Sequence, residues 1–89
     1  MKRALPVGRF RKDLKQITKR GWDIQKLNAV ITLLQLGARL PNNAYAHRLS
    51  GKYKGNWECH IGPDWLLIYD VSDDEVLLVR TGTHTDLFK

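Results

Sequence analysis

The sequence predicts an α+β fold: an N-terminal edge strand and an antiparallel helical hairpin packed on a small antiparallel sheet. Two changes along the chain carry that prediction. Apolar residues recur at helical spacing from Phe10 to Leu34, and beyond residue 55 the period drops to two. The length of 89 residues supports one hydrophobic core and not two, so residues 1–89 are read as a single domain.

Residues 3–7 are placed as the edge strand, where Pro6 limits pairing. From Phe10 the positions Phe10, Leu14 and Ile17 line one side of a helix, while Arg11, Lys12, Lys15 and Lys19 cover the other. Gly21 ends that helix, and Asp23 caps a second one whose stripe is Ile24, Leu27, Val30, Ile31 and Leu34. Gly37 and Pro41 close it.

Residues 41–55 hold two Asn, two Gly and Pro41 and read as a long loop with His47 inside it. Loops of this length in compact domains often serve function. Trp57, Cys59 and Ile61 then alternate with Asn56, Glu58 and His60, as on a strand with one face in the core, so His60 points away from Trp57. Gly62, Pro63 and Asp64 form a turn into Trp65–Tyr69, which is apolar on both faces and therefore central. After the turn at Ser72–Asp74, residues Glu75–Thr81 form a third strand, with Val76, Leu78 and Arg80 on one face and Leu77 and Val79 on the other. The three strands make an antiparallel meander.

The formal net charge is +6, and it is unevenly spread. Residues 1–20 carry eight basic side chains against Asp13 alone, whereas residues 61–89 carry two against six acidic ones. A basic block of this kind suits a phosphate backbone, an anionic membrane surface or an acidic protein. The single cysteine, Cys59, excludes a disulfide within the chain and fits a reducing, cytoplasmic setting. There is no apolar leader segment, and no apolar run approaches the roughly 18 residues of a membrane span. No membrane partner is expected.

All three histidines, His47, His60 and His84, lie in the second half. A lone histidine is usually a surface or hydrogen-bonded residue, so the set acquires meaning only where the fold gathers it. The meander does so for His60, Asp64, Arg80 and His84, which end or open neighbouring strands. Imidazoles for proton transfer, a carboxylate to orient one of them and a guanidinium for phosphate are the parts that RNA cleavage by 2′-hydroxyl attack requires. No metal or other cofactor is expected: Cys59 and His60 face opposite sides of one strand, and Cys59 reads as a small buried hydrophobe. Trp57 is assigned to the core. Trp65 and Phe88 are the candidates for stacking on a base.

The stretches HRLSG, YKG, HIGPDWLLIY and RTGTHTDLF, in that order, resemble the YafQ-like branch of the RelE toxin superfamily. Its members are bacterial mRNA interferases encoded with an antitoxin. The resemblance implies a RelE-like microbial ribonuclease fold and a ribosome-dependent endoribonuclease that cuts translated mRNA in the ribosomal A site. It also implies a tightly bound cognate antitoxin. It maps the family's functional positions onto His47, His60, Asp64, Trp65, Arg80, His84 and Phe88, and the inclusion of His47 rests mainly on it. In this reading His47 is the general base, His84 the general acid, Asp64 and His60 tune them, and Arg80 holds the scissile phosphate. Trp65 and Phe88 position the nucleotide. Lys12 and Lys15 on the basic helix meet ribosomal RNA, with binding that weakens as salt rises. Two other readings fit the same fold: a ParE-like toxin that binds gyrase and cuts no RNA, and a non-catalytic RNA-binding or transcription-regulating module.

Overall fold

The computed structural model describes residues 1–88. In chain order the elements are β1 (Arg3–Pro6), α1 (Gly8–Lys19), α2 (Ile24–Gln35), β2 (His47–Arg48), β3 (Trp57–Gly62), β4 (Trp65–Val71), β5 (Glu75–Gly82) and α3 (His84–Phe88). Short 3₁₀ turns at Asn42–Ala44 and Gly51–Tyr53 flank β2. The helices start and stop where local chemistry dictates. Gly21 supplies the positive φ of 78° that ends α1, and the Asp23 side chain accepts the Gln25 backbone N–H at 3.0 Å to open α2.

The five strands are ordered β1-β5-β4-β3-β2. The meander β3–β4–β5 is antiparallel as the alternation predicts, and β1 lies at the edge but runs parallel to β5, from Arg3↔Glu75 to Pro6↔Leu78. Pro6 ends that ladder, where its missing N–H costs least. Beyond it β5 has no strand on this side. The start of α1 fills the place, and the Asp13 carboxylate accepts the otherwise unpaired Thr81 N–H at 3.2 Å.

Two apolar clusters sandwich the sheet. Phe10, Ile17, Leu27 and Leu34 from the helices pack on Cys59, Trp65, Leu67, Tyr69, Val76 and Leu78. Leu66 and Ile68 face the other way, against Tyr53 and Leu87. Both clusters draw on β4, which is why that strand is apolar at every position from Trp65 to Tyr69.

Two sequence-based expectations change. His47 lies not in irregular loop but on β2, paired with Glu58, and two residues are too few for any periodicity to reveal. Arg80 does not share a face with Val76 and Leu78. The β4–β5 register passes from Tyr69↔Leu78 to Ile68↔Arg80, leaving Val79 as an extra residue. That bulge turns Arg80 to the side of Ile68, toward Tyr53 and α3.

Candidate functional site

Strand register decides which of the expected residues can meet. His47, Glu58, Ile68 and Arg80 form one row across β2, β3, β4 and β5, and His60 and Leu66 open the next row. Neighbouring strands are about 4.8 Å apart, so His47 and Arg80 stand roughly 14 Å from one another. They are not adjacent in the sheet. His60, Asp64 and His84 do converge, at the end of the sheet beside the turn between β3 and β4.

The approach of His84 begins at Gly82, whose φ is 155° and where a Cβ would come within 2.8 Å of the Asp86 carboxylate. The chain leaves β5 there and enters α3. Its first turn is fixed reciprocally, with the Thr83 N–H donating to Asp86 Oδ2 at 2.9 Å and the Asp86 N–H to Thr83 Oγ1 at 3.0 Å. Arg20, at the end of α1, clamps Asp86 with two nitrogens at 2.7 and 3.1 Å. The guanidinium holds the Asp86 carboxyl well below the usual carboxylate range.

Asp64 then receives the His84 backbone N–H at 3.0 Å and lies 2.7 Å from the ring Nδ1. These donors, the backbone N–H foremost, pull the Asp64 carboxyl below its ordinary value. An ionised carboxylate only accepts, so the ring's proton sits on Nδ1 and Nε2 is left for chemistry. Both side chains are more than half exposed. The His60 ring lies 5.9 Å from that of His84, centroid to centroid, with Tyr45 edge-on at 5.7 Å. Among the described residues neither nitrogen of His60 is engaged in a hydrogen bond, whereas Phe88 lies 6.4 Å from His84 and is 43% exposed.

His47 and Arg80 differ from expectation. Both His47 nitrogens are engaged: Nδ1 lies 2.8 Å from the Tyr45 carbonyl and Nε2 2.9 Å from Oε2 of the buried Glu58. Arg80 is only 8% exposed and is held by Asp13 through Nε at 2.7 Å and Nη2 at 3.1 Å. Nη1 donates to the Tyr53 hydroxyl at 3.1 Å, and that hydroxyl donates to the Leu87 carbonyl at 2.9 Å. In this arrangement the guanidinium is not free for a phosphate, because the bulge aims it inward. It ties α1, the Gly51–Tyr53 turn and α3 together.

Trp65 is likewise no free stacking platform: it is 7% exposed, and its indole N–H donates to Thr81 Oγ1 at 2.9 Å. Its ring stands 5.0 Å from that of the more accessible Trp22. Lys12 and Lys15 are exposed on α1. Burial pushes the Cys59 thiol up to about 12, so it stays protonated and inert.

Two clefts meet at the turn. One, of about 370 Å³, is lined by Trp22, Lys26, Asp64, Trp65 and Thr83; the other, of about 620 Å³, by Lys26, Tyr45, His60 and Ile61, and Gly62 and Pro63 border both. Asp13, Arg20, Trp22, Lys26, Glu58 and Asp86 were not singled out from the sequence as site residues. Two of them left a signal: Glu58 shares a strand face with His60, and Thr83-x-x-Asp86 has capping-box spacing. The others depend on long-range contacts that no local pattern announces.

The profile of a family described as bacterial toxin of type II toxin-antitoxin system, YafQ, matches residues 2–89. The chain is 42% identical over 83 residues to the mRNA interferase toxin YafQ of Escherichia coli K12, covering 91% of this chain and 89% of that protein. It superposes on YafQ in the E. coli DinJ-YafQ toxin-antitoxin complex with a TM-score of 0.89, at 38% identity over 99% of this chain and 98% of the other. The copper-bound L66S mutant toxin from Helicobacter pylori gives a TM-score of 0.92 at 40% identity, over 99% of this chain and 100% of that one. Among the described residues of the present chain, no group of three His, Cys, Asp or Glu side chains is placed to hold a metal ion.

Proposed function

Because this chain belongs to the YafQ family of bacterial type II toxin–antitoxin toxins, we propose that it is a ribosome-dependent endoribonuclease that cuts translated mRNA without a metal. The observation that carries the reading is the exposed His84–Asp64 pair, with its outward Nε2, facing the unengaged ring of His60. Ring centres 5.9 Å apart put the two imidazoles side by side, within reach of one phosphodiester laid across both.

In the reaction a base removes the proton of a ribose 2′-hydroxyl, and its oxygen attacks the adjacent phosphorus. The P–O5′ bond breaks as an acid protonates the departing oxygen, leaving a 2′,3′-cyclic phosphate and a 5′-hydroxyl. His84 is the acid in its imidazolium form, with Nδ1–H held by Asp64 and the proton for the departing oxygen on Nε2. The base role passes from His47, whose nitrogens both face acceptors, to His60. His47 instead anchors β2 to Glu58 and thereby the loop that carries Tyr45. Arg80 positions α3, and Phe88 flanks His84 as the surface against which a base rests.

The partners in this reading are the mRNA, the ribosomal A site with its RNA, and a cognate antitoxin as DinJ is for the E. coli toxin. The outward lysines of α1, Lys12 and Lys15, supply ribosomal contacts. None of the helices among the described residues is long and apolar enough to cross a membrane. The test is a reconstituted translation reaction with purified chain, with mRNA ends mapped in the presence and absence of EDTA. Cuts inside translated codons that persist in EDTA are expected. Uncut mRNA, or cutting that EDTA abolishes, refutes the proposal.

A further inference from the structure

We propose that Lys26 forms a phosphate-binding subsite beside the reaction centre, gripping the RNA backbone where the strand crosses the Gly62–Pro63 turn from one cleft to the other. The inference rests on the reading of this site as a ribonuclease centre and adds to it a residue and a path for the substrate. Three observations point to it.

The cations nearest the centre are already compensated. Arg80 is bound by Asp13, and Arg20 by Asp86. A polyanion laid across His60 and His84 therefore finds little free positive charge in the strands themselves. Among the described residues, no ion pair or hydrogen bond engages the Lys26 ammonium.

Position is the second. Lys26 borders both clefts, as do Gly62 and Pro63, and the clefts end on reacting groups, Asp64 in one and His60 in the other. Pro63 has no backbone N–H to offer a phosphate, so a cation reaching over from α2 supplies what the turn lacks. The walls are the third. Trp22 lines the smaller cleft, and Tyr45, 67% exposed, lines the larger. Among the described residues Lys26 is the one cation lining the two clefts and shares the smaller with the Asp23 and Asp64 carboxylates; an aromatic on each side of such a cation is the pattern of single-stranded nucleic acid binding, which stacks bases and holds the phosphate between them.

The experiment uses the full chain and a short single-stranded oligoribonucleotide with one 2′-deoxy sugar at the scissile step, which removes the attacking hydroxyl and prevents cutting. Binding is followed by tryptophan fluorescence. Wild type should show quenching that Trp22→Phe diminishes. Lys26→Met should bind roughly tenfold more weakly, with Lys26→Arg recovering most of the loss. The slope of log Kd against log salt should fall by about 0.7 in Lys26→Met, the share of one phosphate contact on a single strand.

Lys26 is exposed, so an unchanged urea midpoint should accompany the loss. Lys26→Met binding with wild-type affinity and salt slope overturns the subsite. So does a wild type without Trp22-dependent quenching, or a Lys26→Met defect seen only with the antitoxin. A chain that binds this oligonucleotide but leaves mRNA intact on translating ribosomes refutes the ribonuclease reading and keeps the subsite. Cutting by Lys26→Met with an unchanged KM does the reverse.

Discussion

Two histidine or arginine side chains next to an aspartate, close in sequence and alike on paper, do opposite work in this molecule. His84 meets Asp64 at the surface, with one ring nitrogen bound and the other open. Arg80 meets Asp13 in the interior, with both partners about nine-tenths or more buried and the guanidinium surrounded by acceptors. The first pair can exchange a proton with a substrate; the second can only hold elements together. His47 with Glu58 stands between them, half-exposed yet engaged at both nitrogens. Chemical type nominates a residue for catalysis, and the valence left after the fold has taken its share decides.

The sharpest way to break this contrast is to exchange the expected phenotypes. His84→Ala should lower cleavage on translating ribosomes by about 10²- to 10⁴-fold, the usual worth of a general acid, and leave urea unfolding unchanged. Loss of stability comparable to the loss of activity would place His84 with the scaffold. Asp13→Ala should do the opposite, costing about 3–5 kcal/mol because it strands a buried guanidinium. Pairing Asp13→Leu with Arg80→Met should restore most of that stability, and a urea midpoint that stays low would show that more than the ion pair was lost.

The intermediate pair yields a smaller effect. His47→Ala should reduce cleavage roughly tenfold, while His60→Ala reduces it at least a hundredfold. The reverse order would return the base role to His47. The smallest effect is in acid. A carboxyl whose folded value is depressed stabilises the protein above its unfolded value, near 3.9, and that stabilisation is lost as pH falls through the folded value. Asp86 is such a group, held down first of all by Arg20. Arg20→Ala should therefore weaken the fold by about 1 kcal/mol or less at neutral pH and shift acid unfolding to higher pH. Asp64→Asn should leave the acid midpoint almost in place, since the Asp64–His84 pair stands in solvent, while cleavage falls roughly a hundredfold. Equal shifts in the two variants would erase the distinction.

The sequence exposed the parts of the fold that repeat. The stripe of α1 and the Asp23 cap are each written in a few consecutive residues and appear where expected; β3 is a strand where expected, but its burial does not alternate, because Glu58 on the face opposite Cys59 is buried too. A strand of two residues, a parallel pairing across 72 positions and a one-residue bulge at Val79 have no such local signature. The bulge mattered most for the site, because it moved Arg80 to another face. Asp13 shows the same limit from the other side. In sequence it is the one acid of a basic helix and a partner for Arg9 four residues earlier, a contact present at 3.6 Å. Its principal partners are 67 and 68 residues away.

The β1–β5 pairing has a consequence for the order in which the molecule comes into being. Arg3 through Pro6 pair only with Glu75 through Leu78, and Lys2 reaches the Ser72 and Asp73 carbonyls. Synthesis proceeds from the N-terminus, so β1 waits unpaired through most of translation, and folding dominated by such distant contacts is slow to begin. His84 and the clamp of Arg20 on Asp86 arrive later still. The cluster of His60, Asp64 and His84 can therefore gather only after nearly the whole of residues 1–88 has been made.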